Sequence, residues 1–197
     1  MAVYFHGNFG LNRPRMAQLL NDGLENPAWD NAQLAAPQGY GAPFAQRYRS
    51  WLHKTGLIEQ GSPIRLTPMG AIVHNKDAAL ESDVTSWFMH WELVTDPHRA
   101  EVWHYFHTEF RNGHPSFTRE ELTMALMETL SEHSVKHFGP GSKLTPVITR
   151  KVIECYTATE ALGELGLVVA AGDRYEFRSP RKRGPWSTPA RLAASYR

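Results

Sequence analysis

Arg47, Arg49, His53 and Lys54 crowd eight consecutive residues of the chain. Cations at that density point first to contact with a phosphate backbone, because guanidinium and ammonium groups only donate and carry the opposite charge. A second set, Arg174, Arg178, Arg181, Lys182 and Arg183, lies near the other end, with Trp186 close by to stack on a base or enter a partner pocket. These nine residues form the candidate DNA-binding set. The plain alternatives are the solvated face of a helix for the first group and a basic terminus for the second.

The histidines raise the question of a metal. His104 and His107 are three apart, with Glu101 one turn earlier, and His133 and His137 are four apart. Zinc needs three or four converging ligands, and no HExxH helix or other recognised third ligand accompanies either pair. His104 and His107 interleave with Trp103 and Phe106, which reads as hydrogen-bonded, partly buried histidine. Neither a metal nor a cofactor is expected. Cys155 is the single cysteine, which excludes an internal disulfide framework. It shares an apolar helical face with Ile148 and Leu162 and reads as a core residue. Asp77, Glu81 and Asp83 precede a helix, where capping and the helix dipole account for them. No nucleophile elbow, phosphate loop or dinucleotide fingerprint is present, so no enzymatic activity is expected.

Composition narrows the setting. The chain has 197 residues, 42% of them hydrophobic, which supports a buried core. The net charge of +1 is not that of a protein that coats nucleic acid. The charge is uneven, and from Lys143 onward Arg150, Lys151, Arg174, Arg178, Arg181, Lys182, Arg183, Arg191 and Arg197 outnumber the acids. No apolar run reaches the roughly 18 residues of a membrane span. MAVYFHGNFG is no signal peptide, so a cytoplasmic location is expected.

The elements that must position these groups follow from periodicity. Phe44, Tyr48, Trp51 and Leu52 form one apolar helical face, and Gly56 stops the helix. Leu57-Ile58 and Ile64 to Leu66 can pair around Gly61-Ser62-Pro63, putting Gln60 to Ser62 at a hairpin tip. Thr67-Pro68 then caps another helix. A basic amphipathic helix followed by a hairpin is the recognition helix and wing of a winged helix. Before it, residues 1–10 read as an extended segment, a helix starts at Asn12 or Arg13, and a shorter one spans Pro27 to Ala36.

Asp77 to Gly113 is the aromatic centre, with helices capped at Ser82-Asp83 and at Asp96-Pro97 that form a buried hairpin. Thr118 to Glu121 fits a capping box ahead of Leu122, Leu126 and Leu130. His133 to Ser142 reads as a loop, and Thr145-Pro146 repeats the cap of Thr67-Pro68. Leu162 to Val168 parallels His53 to Ile58, and Tyr175 to Arg178 returns as a strand after Ala171-Gly172-Asp173. The fold class is therefore mainly α with small β-hairpins, as one or two winged-helix units joined by an aromatic-rich helical hairpin. The boundaries read as 1–76 and 116–178 for the winged-helix-like units, 77–115 for the hairpin and 179–197 for a basic tail.

The runs Arg47-Tyr48-Arg49-Ser50-Trp51-Leu52, Thr55-Gly56-Leu57-Ile58 and Leu66-Thr67-Pro68-Met69-Gly70 resemble the uncharacterised-domain family DUF4007. Asp83 to Trp91, Trp103-His104-Tyr105-Phe106 and Leu165 to Val168 extend the likeness, which covers about Phe5 to Phe177. It rests on several short motifs in the right order. The resemblance implies a bacterial or archaeal protein of antiviral defence neighbourhoods, often encoded beside DNA phosphorothioation genes. It also implies a helical fold with winged-helix features. Family members carry a Gly-x-Gly-Lys-Asn turn; here Gly39-Tyr40-Gly41 is followed by Ala42-Pro43, and the basis for a phosphate contact at this turn goes with the lost lysine and asparagine.

The function expected from these residues and this resemblance is a non-catalytic DNA-binding or adaptor subunit of a phosphorothioation-type defence system. Its partners would be duplex DNA and proteins of a DNA-modification complex, without a membrane. A protein-only scaffold for sulfur-transfer enzymes and a transcription regulator of a defence operon are the alternatives.

Overall fold

In the computed structural model, which describes residues 3–179, the first helix begins where its end can be satisfied locally. Helix α1 (Arg13–Glu25) is capped by Asn12, whose side chain accepts from the Arg15 amide at 3.0 Å. It buries Met16, Leu19 and Leu20 completely. Helix α2 (Asn31–Ala35) starts later than the spacing of Trp29 suggests, because Asp30 and Gln33 close a reciprocal capping box. Helix α3 (Ala42–Lys54) inserts Phe44, Tyr48, Trp51 and Leu52, all at most 1% exposed. The polar ends of these rings are satisfied too: Trp51 Nε1 donates to Phe9 O at 3.0 Å and the Tyr48 hydroxyl to Gly10 O at 3.1 Å.

Residues 5–10 turn instead of running extended. The Phe9 amide donates to His6 O at 3.0 Å, and Gly7 supplies the positive φ of 57° that the turn requires. The turn aims Phe9 at Phe44 and Tyr40 with ring centroids 5.6 and 6.2 Å away.

After α3, Gly56 takes a φ of 75° and ends the helix. The hairpin that follows is smaller than two paired strands, since Ile58 and Leu66 make a single antiparallel bridge. Gly61-Ser62-Pro63 occupies the middle of the span between them, and proline brings no ladder donor. Thr67 then caps α4 (Pro68–Lys76): its hydroxyl accepts from the Gly70 amide at 2.8 Å and donates to Gly56 O at 2.7 Å. Helix and hairpin touch most closely at Gly70, where a Cβ would stand 1.8 Å from Leu57 O. Asp77 accepts from the Glu81 and Ser82 amides and from the Thr85 hydroxyl, which fixes the entry to α5 (Asp83–Thr95).

The described residues divide into two compact units, Phe5–Leu93 and 94–179, the latter taking in residues 3 and 4. The division falls in the last turn of α5, inside the stretch read from sequence as one aromatic hairpin. The N-terminal unit is 5–93 and the C-terminal unit 94–179.

The C-terminal unit opens with α6 (Pro97–Tyr105), which runs into a π turn (Phe106–Phe110) and α7 (Arg111–Gly113). Periodicity alone reads these as one α-helix. The wider turn stacks Phe106 on Phe110 at 6.0 Å, and both pack edge-on against Phe117. Phe117 belongs to β1 (Ser116–Phe117). Helix α8 (Arg119–Ser131) follows, with the expected Thr118–Glu121 capping box.

The glycine- and histidine-rich loop contains a short helix, α9 (Val135–Phe138), capped by Ser134. Helix α10 (Leu144–Thr157) is next, and its cap differs from the reading given to Thr145. Ser142 Oγ accepts from the Leu144 and Thr145 amides at 3.0 and 3.3 Å. The Thr145 hydroxyl instead donates to Phe138 O at 3.0 Å, 1% exposed, joining α9 to α10.

A 3-10 turn (Gly163–Leu165) and Gly166, at φ 63°, lead into β2 (Val168–Ala171) and β3 (Arg174–Phe177). The three strands are antiparallel in the order β1-β3-β2, with Phe117 opposite Tyr175 and Val169 opposite Glu176. The molecule is mainly helical with one small antiparallel sheet.

Candidate nucleic-acid interface

Helix α3 carries Arg47 and Lys54 beside its buried face and Arg49 and His53 farther round, as its period dictates, and all four make contacts inside the unit. Arg47 Nη1 donates to Phe5 O at 3.1 Å. Lys54 Nζ stands 5.8 Å from the Phe5 ring centre. These two hold the N-terminal turn against α3.

Arg49 donates to Asn31 Oδ1 at 3.2 Å and to Gly61 O. His53 Nδ1 donates to Ile58 O at 3.2 Å, which sets the ring tautomer. These two clamp the hairpin at its tip and its base. All four side chains are half-buried. Burial draws the Arg49 guanidinium below its ordinary value. Removing one such part-buried hydrogen bond costs about 1 kcal/mol.

The cations of β3 are engaged as well. Arg174 donates to Ser116 Oγ and Ser116 O, both at 3.0 Å, and to Glu121 Oε2 at 2.9 Å, so it staples β1 to the start of α8. Glu121 in turn accepts from the Thr118 amide at 2.7 Å, and that bond, ahead of Arg174, lowers its pKa. Arg178 pairs with Glu176 at 3.1 Å with both side chains exposed. Arg181, Lys182 and Arg183, with Trp186, lie outside the described residues.

Helix α10 is organised differently. Ile148, Val152 and Tyr156 turn inward at 0% exposure, which leaves Lys143, Pro146 and Arg150 on the solvent side. Lys143 and Arg150 are seven residues apart, two turns on one face. Arg150 Nε lies 3.6 Å from Glu154 Oε1, and Lys151 Nζ lies 2.6 Å from Glu154 Oε2. Two cations thus share one carboxylate, and the Arg150 side chain is 48% exposed. Such surface pairs exchange readily for another anion, being worth about 0–1 kcal/mol. The helix leads through the 3-10 turn into the β2–β3 hairpin. The sequence counted Lys143, Arg150 and Lys151 in the basic half without assigning them to the site, although the seven-residue spacing was there to be read.

The histidines are spread over several partners. His104 Nδ1 donates to Val94 O at 2.7 Å, and the His107 ring meets Tyr156 edge-on at 4.4 Å. His133 Nε2 pairs with Glu101 at 2.5 Å, and His137 Nδ1 lies 2.9 Å from Ser134 Oγ. Among the described residues no three His, Cys, Asp or Glu side chains converge on a point that could hold a metal ion. Cys155 is 1% exposed, and burial pushes its thiol up to about 12, the Trp103 contact offsetting only part of that rise. A thiol so placed is a poor nucleophile. No helix among the described residues is long and apolar enough to cross a membrane.

Two solved structures share the fold, one of SspB and one of magnesium-ion-bound SspB. Each is 20% identical, with a TM-score of 0.65 over 98% of this chain. The chain spans 64% of the length of those proteins. No curated protein matches the sequence. A family model described as "Protein of unknown function (DUF4007)" matches residues 38–185, well over half of the 197 residues, and the chain belongs to that family.

Proposed function

We propose that the chain is a non-catalytic, DNA-binding adaptor subunit of a bacterial DNA-modification defence system of the phosphorothioation type, and that its C-terminal unit is a winged helix. The observation that carries this reading is the order of elements in 94–179. Helix, two-residue strand, helix, a one-turn helix, helix and hairpin follow one another, with the sheet ordered β1-β3-β2. In that arrangement the helix before the hairpin lies in the groove and the hairpin tip meets a neighbouring phosphate. Here that helix is α10, and Lys143, at its N-terminal cap position, and Arg150 are offered to solvent. The defence setting is what the resemblance of the sequence motifs to DUF4007 implies, and the fold is one shared with SspB.

In this reading the cations of α3 serve the fold while those of α10 serve the ligand. Arg178 and the Arg181-Lys182-Arg183 run extend the contact along the backbone. Phosphate contacts set position and affinity, and reading of the modification would come from the groove. The test is fluorescence anisotropy of plain and phosphorothioated duplexes across a salt series. Binding that falls linearly in log K against log salt, with a slope of roughly two or more counterions, supports the reading. Absence of binding to either duplex at low salt overturns it.

A protein-only scaffold is the second reading, and one observation favours it: Arg47, Arg49, His53 and Lys54 all contact groups of their own unit. In that case the salt series is flat and a partner enzyme co-purifies in high salt.

A further inference from the structure

Helix α8 has two faces of different character. Leu122, Leu126 and Leu130 face inward at 0–1% exposure, and Thr123 Oγ1 bonds Thr149 of α10 at 3.1 Å. The opposite face borders an open cleft of about 600 Å³ whose lining includes Tyr105, Met124, Met127 and Pro140. Met124 is 66% exposed, an uncommon state for a side chain that packs so readily. On α9, which packs on α8, Val135 is 67% exposed.

The rim of the cleft is acidic. Glu121 and Glu128 line it, Glu120 stands exposed on the same helix and Glu132 just past its end. Glu120, Glu128 and Glu132 have no ionic or hydrogen-bonding partner among the described residues. The basic groups nearby are Arg174, bound to Glu121, His114 on the wall, Arg119 at the start of the helix, and Lys136 and His137 exposed on α9.

We propose that this cleft is a docking site for a basic amphipathic helix of a partner protein. Methionine surfaces re-pack around apolar anchors from an incoming helix, and an acidic rim selects a helix whose flanks are lysine or arginine. The stretch from Glu121 to Ser131 is about 15 Å long, enough to seat two or three turns. Because the cleft lies on the face of α8 turned away from Thr123 and α10, a docked helix leaves Lys143 and Arg150 accessible. The assignment goes beyond the DNA reading and holds whether or not α10 meets a duplex.

The probe is a fluorescein-labelled peptide of roughly 18 residues, long enough to form helix, with leucine on one face and lysine on the other. Two controls accompany it, one with glutamate in place of lysine and one with the leucines scattered around the helix. Anisotropy with the full chain should show the basic amphipathic peptide binding about tenfold or more tightly than either control. Glu128→Lys and Met124→Ser should each weaken it about fivefold or more, while Lys143→Ala/Arg150→Ala leaves it within about twofold. Both cleft positions are exposed, and circular dichroism confirms that the variants are folded. Equal binding of the three peptides, or affinity untouched by Glu128→Lys and Met124→Ser, overturns the proposal. Sedimentation that shows a dimer lost on Met124→Ser also overturns it, and gives the face to a second copy of the chain.

Discussion

The two units use the same plan with opposite economies of charge. Each runs through helices to a glycine at positive φ, Gly56 or Gly166, and then into a hairpin. In the N-terminal unit the hairpin has one bridge, Ile58 with Leu66, and a few backbone bonds beside it, and side chains from α3 add to that hold: Arg49 reaches Gly61 O and His53 reaches Ile58 O. In the C-terminal unit β1 adds a third strand. Backbone hydrogen bonds and the Arg174 staple secure the hairpin without any cation from α10. A helix freed of that task can turn its charge outward. The difference teaches that a basic helix beside a hairpin is not by itself a binding surface; what matters is where its donors end.

The largest effect is expected where α4 packs against the N-terminal hairpin at Gly70. Gly70→Val should destabilise the protein by about 3 kcal/mol or more, because its Cβ meets the rigid Leu57 carbonyl. Chemical denaturation would read the loss. A shift below about 1 kcal/mol would mean that α4 slides freely past the hairpin.

Next, Arg47→Ala and Arg49→Ala should each cost about 1 kcal/mol, because each removes part-buried hydrogen bonds that tie segments of the unit together. Arg150→Ala should stay within about 0.5 kcal/mol. Equal effects at the three positions would erase the contrast between α3 and α10.

Asp77 sharpens the comparison through pH. Partial burial alone would raise its pKa, but the Thr85 hydroxyl and the Ser82 and Glu81 amides together hold it below the ordinary 3.8. The folded value is the lower one. Its contribution is therefore fully present above the unfolded pKa and fades as pH falls through the folded value. Asp77→Asn should cost about 1 kcal/mol near neutrality and flatten the acid limb of the stability curve. An unchanged acid limb would assign the pH dependence elsewhere.

The smallest effect concerns Cys155. With its thiol pushed up to about 12 and 1% exposed, it should resist a disulfide reagent at pH 8 until the chain is denatured. Rapid labelling of the native protein would show that α10 opens.

Much of the framework was legible because local chemistry set it. The Thr118–Glu121 box, the Thr67 cap and the glycine stops follow from neighbours within four residues, and the burial of Trp51 and Trp103 from helical spacing. The Asp30–Gln33 box was equally local, yet apolar spacing around Trp29 drew the start of α2 too early. What stayed hidden depended on distant partners. Two-residue β1 shows no alternation and exists because it pairs with β3, about sixty residues on, as Ser116 opposite Glu176 shows. The π turn at Phe106–Phe110 comes from packing on Phe117 and Phe177 and leaves no mark in the pattern. The fate of the α3 cations was hidden for the same reason: the carbonyl that Arg47 meets lies 42 residues away, in a segment read as extended.

The central claim is that charge on α3 maintains structure while charge on α10 meets the ligand. Duplex-DNA anisotropy and denaturation of Lys143→Ala/Arg150→Ala beside Arg47→Ala test it in one experiment. The account predicts a crossover: the α10 variant loses about tenfold or more in low-salt affinity and two counterions of salt slope at wild-type stability, while Arg47→Ala loses stability and keeps its affinity. The reverse pattern, with affinity lost at Arg47 and kept in the α10 variant, would contradict it and return the interface to α3.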